Sequence, residues 1–190
     1  MIKKRLILAS GSPRRRELLS LMGVDFEVCS VDVDEHMEGH PKQIVAALAE
    51  KKARAAFGLH PGETILGSDT LVFCEGAVLG KPTDESDALR MLLLLSGRKN
   101  SVFTGVCVIN GETGLAQVAV DVTDVFFQDI DQAAALRYIE SGEPMDKAGA
   151  YGAQGMGGMF VKSICGSPSN VIGLPMHLVR DMLRSIGWEL

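Results

Sequence analysis

Leu6-Ile-Leu-Ala-Ser-Gly-Ser-Pro-Arg-Arg-Arg-Glu-Leu-Leu19 decides how the rest of the chain is read. Its first half, from Arg5 to Ser10, has the length and flanks of a short buried strand. Its second half opens a helix. Ser12 is a good N-cap, Pro13 fits the first helical position, and Leu18, Leu19, Leu21 and Met22 recur at helical spacing. Gly23 fits the position just past the end. A strand, a Ser10-Gly11-Ser12 turn and a helix N-terminus present backbone N–H groups at the positive end of a dipole, which is an anion site. Arg14, Arg15 and Arg16 stand in the first turn, where that dipole disfavours cations. Residues placed against a local rule invite a functional reading, and snorkelling into water is the alternative.

Downstream, Val24 to Val33 alternates like a second strand and ends in the acidic run Asp32-Val-Asp34-Glu35. Such a run is a solvated loop or, at a strand end, a set of hard oxygen ligands for a divalent cation. Pro41 starts a helix reaching about Phe57, with Ile44, Val45, Leu48, Ala55 and Ala56 on its apolar face. Lys51 and Lys52 flank that face, one on each border, and periodicity does not choose which of them turns inward.

Thr64 to Phe73 is strongly strand-like, yet Asp69 sits at its centre on the same alternating face as Ile65, Leu71 and Phe73. A carboxylate there must be paired, metal-bound or neutralised, or must face water at an edge. Gly67 and Ser68 leave room for a ligand or a bulge. The Glu75-Gly76 turn predicts a hairpin that returns Lys81, in Gly80-Lys81-Pro82, towards Asp69. Lys81 is thus a candidate phosphate ligand or the partner that keeps Asp69 ionised.

Thr83 is read as the cap of the next helix, which stops at Gly97. Ser101 to Ile109 and Leu115 to Phe127 form a hairpin around Asn110-Gly111. Asp129 to Gln132 resembles a capping arrangement for a helix ending near Ser141. Gly142 to Gly158 is glycine-rich and lacks apolar periodicity, but Asp146, Lys147, Tyr151 and Gln154 describe an ordered, functional loop. Its Lys147 suits a phosphate and its Gln154 the edge of a base. Met159 to Cys165 is a last strand and Pro175 to Ile186 a closing amphipathic helix.

The 190 residues suit a single domain, 1–190. A net charge of -5 and aromatic residues at 5% argue against stable nucleic-acid binding, which needs basic surfaces and stacking platforms. The apolar run after Met1 to Arg5 imitates a signal peptide but is far too short, so export is not expected. No segment approaches the roughly 20 apolar residues of a membrane span. Cys29, Cys74, Cys107 and Cys165 are scattered, without C-x-x-C spacing, and read as reduced, mostly buried thiols of a cytoplasmic protein. Basic residues on separate elements, a strand-borne carboxylate and an anion site suit a polyphosphate substrate and metal-assisted attack of water.

Leu8-Ala-Ser-Gly-Ser-Pro-Arg-Arg-Arg-Glu-Leu-Leu19 resembles the opening signature of the Maf family of nucleotide pyrophosphatases. The likeness continues at Lys52-Ala-Arg-Ala55, Gly67-Ser-Asp-Thr70, Gly80-Lys-Pro82 and Leu95-Ser-Gly97. It runs on through Gly142-Glu-Pro144, Asp146-Lys-Ala-Gly-Ala-Tyr-Gly152, Gln154-Gly155 and Val171 to Pro175, in family order. It implies a mixed α/β fold, a twisted sheet flanked by helices with a central cleft, similar to the inosine triphosphatase group and often dimeric. It also implies a cytoplasmic nucleoside triphosphate pyrophosphatase using a divalent cation (Mg²⁺, Mn²⁺ or Co²⁺). Carried over by position, Asp69 is the proton acceptor that activates water, and Arg14, Thr70 and Gln154 match the positions tied to substrate choice. Arg15, Lys52 and Lys81 match the phosphate-binding set, to which the residue reading adds Ser10, Ser12 and Lys147. Asp34 aligns with an acidic residue that joins Asp69 at the metal. The pattern from Asp146 to Gly155 fits the branch acting on dTTP and UTP rather than the branch acting on 7-methyl-GTP. Gly166 to Asn170 departs from the Tyr or His that the family often carries nearby, which bears on one pocket wall. The competing class is a non-catalytic nucleotide sensor acting on cell division or septum formation.

Overall fold

Leu6–Ala9 forms β1, and all four of its side chains are shut off from water. The strand has a parallel neighbour on each side. Phe26–Val28 (β2) pairs with it in the register Leu6 to Phe26, and Thr64–Cys74 (β3) in the register Leu6 to Thr64. Parallel strands buried on both faces read as unbroken apolar runs, as this one does. The computed structural model describes residues 5–190. Met1 to Lys4, part of the stretch that imitates a signal peptide, lie outside the described residues.

Helices Pro13–Leu21 (α1) and Pro41–Leu59 (α2) follow β1 and β2. After β3 come Ala77–Leu79 (β4), Glu85–Leu95 (α3), Lys99–Ile109 (β5), Ala116–Phe127 (β6) and Gln132–Glu140 (α4). Three 3₁₀ turns at Glu143–Asp146, Ala148–Ala150 and Met156–Phe160 lead to Val161–Cys165 (β7), Pro168–Ile172 (α5) and Met176–Ser185 (α6). The sheet order is β2-β1-β3-β5-β6-β7, with β4 paired antiparallel to β3. β6 and β7 are antiparallel. This is the mixed, helix-flanked sheet that the resemblance implies.

The described residues gather into two compact units, and β3, β5 and β6 each give residues to both. The first runs up to Asp69 and adds Thr104–Asp121 and Gly173–Leu190. Its centre is the alanine-rich face of α2. Ala49, Ala53 and Ala56 pack with Ile7, Ile65 and Ile109, all without exposed surface. The small side chains let the helix settle unusually close to the sheet. A Cβ on Gly67 would overlap the Ala49 carbonyl oxygen and meet Ala53 Cβ at 2.9 Å, and one on Gly105 would overlap the Val45 carbonyl.

The second unit holds Thr70–Phe103 and Val122–Ile172. Leu92 and Leu95 of α3 and Tyr138 and Ile139 of α4 pack on Val72, Val125 and Phe127. Each such buried side chain contributes about 1.5–3 kcal/mol. Edge-to-face pairs set the loop aromatics into this core: Tyr151 on Phe127 at 4.7 Å and Phe160 on Tyr138 at 5.4 Å between ring centroids.

Several boundaries differ from the sequence reading. The strand expected over Val24 to Val33 is only Phe26–Val28, because its partner among the described residues, β1, is four residues long. Asp84, not Thr83, caps α3: its Oδ1 accepts from the Asp87 amide at 2.8 Å, while Asp87 Oδ2 accepts from the Thr83 amide at 3.1 Å. Arg90 holds the Asp87 carboxyl below its usual range, aided by the Thr83 amide. The strand expected from Met159 starts at Val161, since a 3₁₀ turn occupies Met156–Phe160. Helix α5, at Pro168–Ile172, falls on a stretch for which the sequence suggested no element. Of the cysteines, Cys74 and Cys107 are buried, but Cys165 is exposed. Burial pushes the Cys107 thiol up to about 12, which keeps it neutral and unreactive.

Candidate functional site

Asp69 lies on the face of β3 that α2 covers, two residues beyond Gly67. With α2 resting on Gly67, Lys52 is carried over the sheet rather than out to solvent. Its Nζ donates to Asp69 Oδ1 at 2.6 Å and to Glu35 Oε1 at 2.6 Å. Lys52 is 9 % and Asp69 7 % exposed, while the Glu35 side chain is 57 % exposed. Lys51, on the other border of the helix face, is exposed and donates to the Asp34 carbonyl oxygen at 2.6 Å. The choice between the two lysines is thus made by the tertiary structure. The sequence offered Lys81 either as a phosphate ligand or as the cation beside Asp69; α2 supplies that cation through Lys52.

The turn before α1 adds the second half of the cluster. Ser12 caps the helix, accepting from the Arg15 amide at 3.5 Å. Buried Ser10 accepts from the Ser12 amide and from Arg15 Nη1, each at 3.2 Å. Arg15 Nε donates to the Gly173 carbonyl at 2.8 Å, and the same oxygen takes the Ser68 hydroxyl at 3.3 Å. Arg15 therefore does not snorkel. Burial lowers its pKa, and the nearby Asp69 carboxylate acts the other way. The guanidinium still keeps its charge. Arg14 is half-buried and Arg16 exposed.

Asp34 is exposed, and its Oδ1 accepts from the His36 amide at 3.0 Å. Glu35, one residue on, is the member of the acidic run whose carboxylate meets Lys52. Two carboxylates from separate segments thus converge on one cationic nitrogen. Hard oxygen donors converging on a cation suit Mg²⁺ or Mn²⁺, which take one or two carboxylates and complete their shell with phosphate oxygens and water. Among the described residues, no group of three or more His, Cys, Asp or Glu side chains is placed to hold a metal by itself.

The remaining expected residues belong to the second unit. Thr70 is half-buried on β3, and Lys81 is exposed just past β4. Lys147 donates to Asp146 Oδ1 at 2.6 Å and to the Glu143 carbonyl at 2.8 Å. Gln154 is exposed at the tip of the loop between two 3₁₀ turns. Gly149 at φ +70 and Ala150 at φ +58 bend the chain ahead of Tyr151, whose hydroxyl donates to the buried Asn100 at 3.1 Å. The structure therefore brings together Ser10, Ser12, Arg15, Lys52 and Asp69, and adds Glu35, Ser68 and the Gly173 carbonyl. Backbone oxygens carry no residue signature, so Gly173 gave no signal beyond its place in a family motif.

Comparison with known proteins adds ancestry to this geometry. A family model described as "Maf-like protein" matches residues 5–186. A dTTP/UTP pyrophosphatase of Thermococcus gammatolerans is 46% identical over 185 residues, covering 97% of this chain and 98% of its own. Proteins of the same name from Symbiobacterium thermophilum and Anaeromyxobacter dehalogenans are 46% and 47% identical, each covering 98% of this chain and 96% of its own.

Proposed function

The chain belongs to the Maf family, and from that premise we propose that it hydrolyses dTTP and UTP to the monophosphate and pyrophosphate. The observation that carries the chemistry is the buried Asp69, held by Lys52 against Glu35 and adjoined by Arg15. Asp69 takes a proton from water as the water oxygen bonds to the α-phosphorus. The bond from that phosphorus to its bridging oxygen breaks, and pyrophosphate leaves with the electron pair. The Lys52 ammonium, 2.6 Å from Oδ1, fixes the direction in which the carboxylate faces. Arg15 and the amides at the start of α1 neutralise phosphate charge, with Ser10 orienting the guanidinium. Lys81 and Lys147 are proposed to serve the same phosphates, and Arg14, Thr70 and Gln154 to select the base.

A divalent cation would be held by Asp69 with the acidic run, Glu35 by its convergence on the same point and Asp34 beside it. When bound, it would neutralise charge on the phosphate oxygens. No helix among the described residues is long and apolar enough to cross a membrane. A cytoplasmic setting and a homodimer are part of the proposal, suggested by the family likeness. The test is turnover of dTTP, UTP, 7-methyl-GTP and dATP with Mg²⁺ or Mn²⁺ and after chelation. Preference for dTTP and UTP, lost on chelation, is expected. Tight nucleotide binding without turnover of any of them would make the protein a sensor instead.

A further inference from the structure

Glu143 lies outside the residues assigned above, yet one carboxylate of this half-buried side chain gathers most of the glycine-rich loop. Its Oε1 accepts from the Tyr138 hydroxyl at 2.8 Å and from the Gly157 amide at 3.2 Å. Its Oε2 accepts from the Met156 amide at 2.8 Å. The Tyr138 oxygen in turn accepts from the Gly152 amide at 3.1 Å. A single carboxylate–phenol pair therefore holds both ends of the span from Gly152 to Gly157, with exposed Gln154 between them. Tyr138 has no exposed surface and is fixed in the α4 core, so the clamp is anchored to a rigid element. The backbone comes so close that side chains are excluded. A Cβ on Gly155 would overlap the Glu143 carboxylate, and one on Gly157 would sit 2.6 Å from the Tyr138 oxygen.

Burial works to raise the Glu143 pKa, but the Met156 and Gly157 amides, the Tyr138 hydroxyl and Lys147 outweigh it and hold it below the usual carboxylate value. The carboxylate is thus charged at neutral pH, and its contribution to stability fades only as the pH falls through that lowered value. Charged acceptors make the stronger hydrogen bonds to backbone N–H groups.

We propose that Glu143 is a positioning residue for nucleobase selection: through Tyr138 and the Met156 and Gly157 amides it fixes the loop that presents Gln154. This rests on the proposed activity and on Gln154 as the residue that reads the base. A floppy Gln154 amide would still meet bases, but without a fixed direction it would discriminate among them poorly.

The test compares wild type, Glu143→Gln, Gln154→Ala and the double variant. Gln cannot accept from both amide-facing positions, since one of its ends is a donor. Amide exchange at Met156 and Gly157 should accelerate in Glu143→Gln. KM for dTTP should rise about tenfold, the scale of one lost charge-assisted bond, with kcat little changed. The preference for dTTP over dATP should fall, and adding Gln154→Ala should lower it little further, as expected for residues acting through one another. Faster exchange with KM and base preference unchanged would overturn the proposal and leave Glu143 a purely structural clamp. If Gln154→Ala alone kept the wild-type preference, the base-reading role of Gln154 would fall, and this inference with it. Failure of the underlying activity would show separately, as a wild-type protein that releases no pyrophosphate from dTTP or UTP.

Discussion

Asp69→Asn is expected to lower kcat for dTTP by about 10²–10⁴-fold, the range that a positioned general base supplies. Asn matches the shape of Asp but cannot take the proton from water. Lys52 keeps Glu35 as a partner at 2.6 Å, so no cation is orphaned and the fold should survive with a melting temperature close to wild type. KM should change by only a few-fold, because the phosphates are assigned to Arg15, the α1 amides and the lysines. Steady-state kinetics beside a thermal melt read all three quantities. A variant retaining more than a tenth of wild-type kcat would remove Asp69 from the chemistry.

Lys52→Met is the harsher substitution. The methionine stem fills the same channel along α2 but brings no charge to the point where Asp69 and Glu35 converge. Two carboxylates then face one another, and Asp69 is too buried for water to screen it well. Removing one partner of a buried pair costs about 3–5 kcal/mol, and the exposure of Glu35 favours the lower end. Chemical denaturation should show a loss of about 3 kcal/mol, together with near-complete loss of turnover. Adding Glu35→Gln should recover part of the stability but not the activity. Wild-type stability in Lys52→Met would mean that the triad is not held together by that charge.

The same contrast explains what the sequence disclosed. Asp69 was legible because a carboxylate inside a β-rich run needs a reason. The turn before α1 was legible because Ser12-Pro13 marks a helix start. The rest depended on distances the sequence does not encode. Lys51 and Lys52 border the same apolar face, and the decision falls to Gly67, which lets α2 press onto β3 and turn Lys52 inward. Asp34 and Glu35 are adjacent on irregular chain, where no periodicity separates them. Helix α5, Pro168–Ile172, is too short to show an apolar periodicity. There Asn170 donates from its amide to the Val102 carbonyl at 3.1 Å and to Thr123 Oγ1 at 2.9 Å, contacts with residues far away in the chain. Glu143 belonged to a motif, but besides the Tyr138 hydroxyl its partners are backbone amides thirteen and fourteen residues on, which leave no residue-type trace.

The most direct single measurement is hydrolysis of dTTP in ¹⁸O-labelled water, with the products resolved and weighed. Attack on the α-phosphorus by water handed over by Asp69 requires unlabelled pyrophosphate and one ¹⁸O in the thymidine monophosphate. Label in pyrophosphate, or release of orthophosphate with thymidine diphosphate, would place the attack elsewhere and contradict the mechanism assigned to this site.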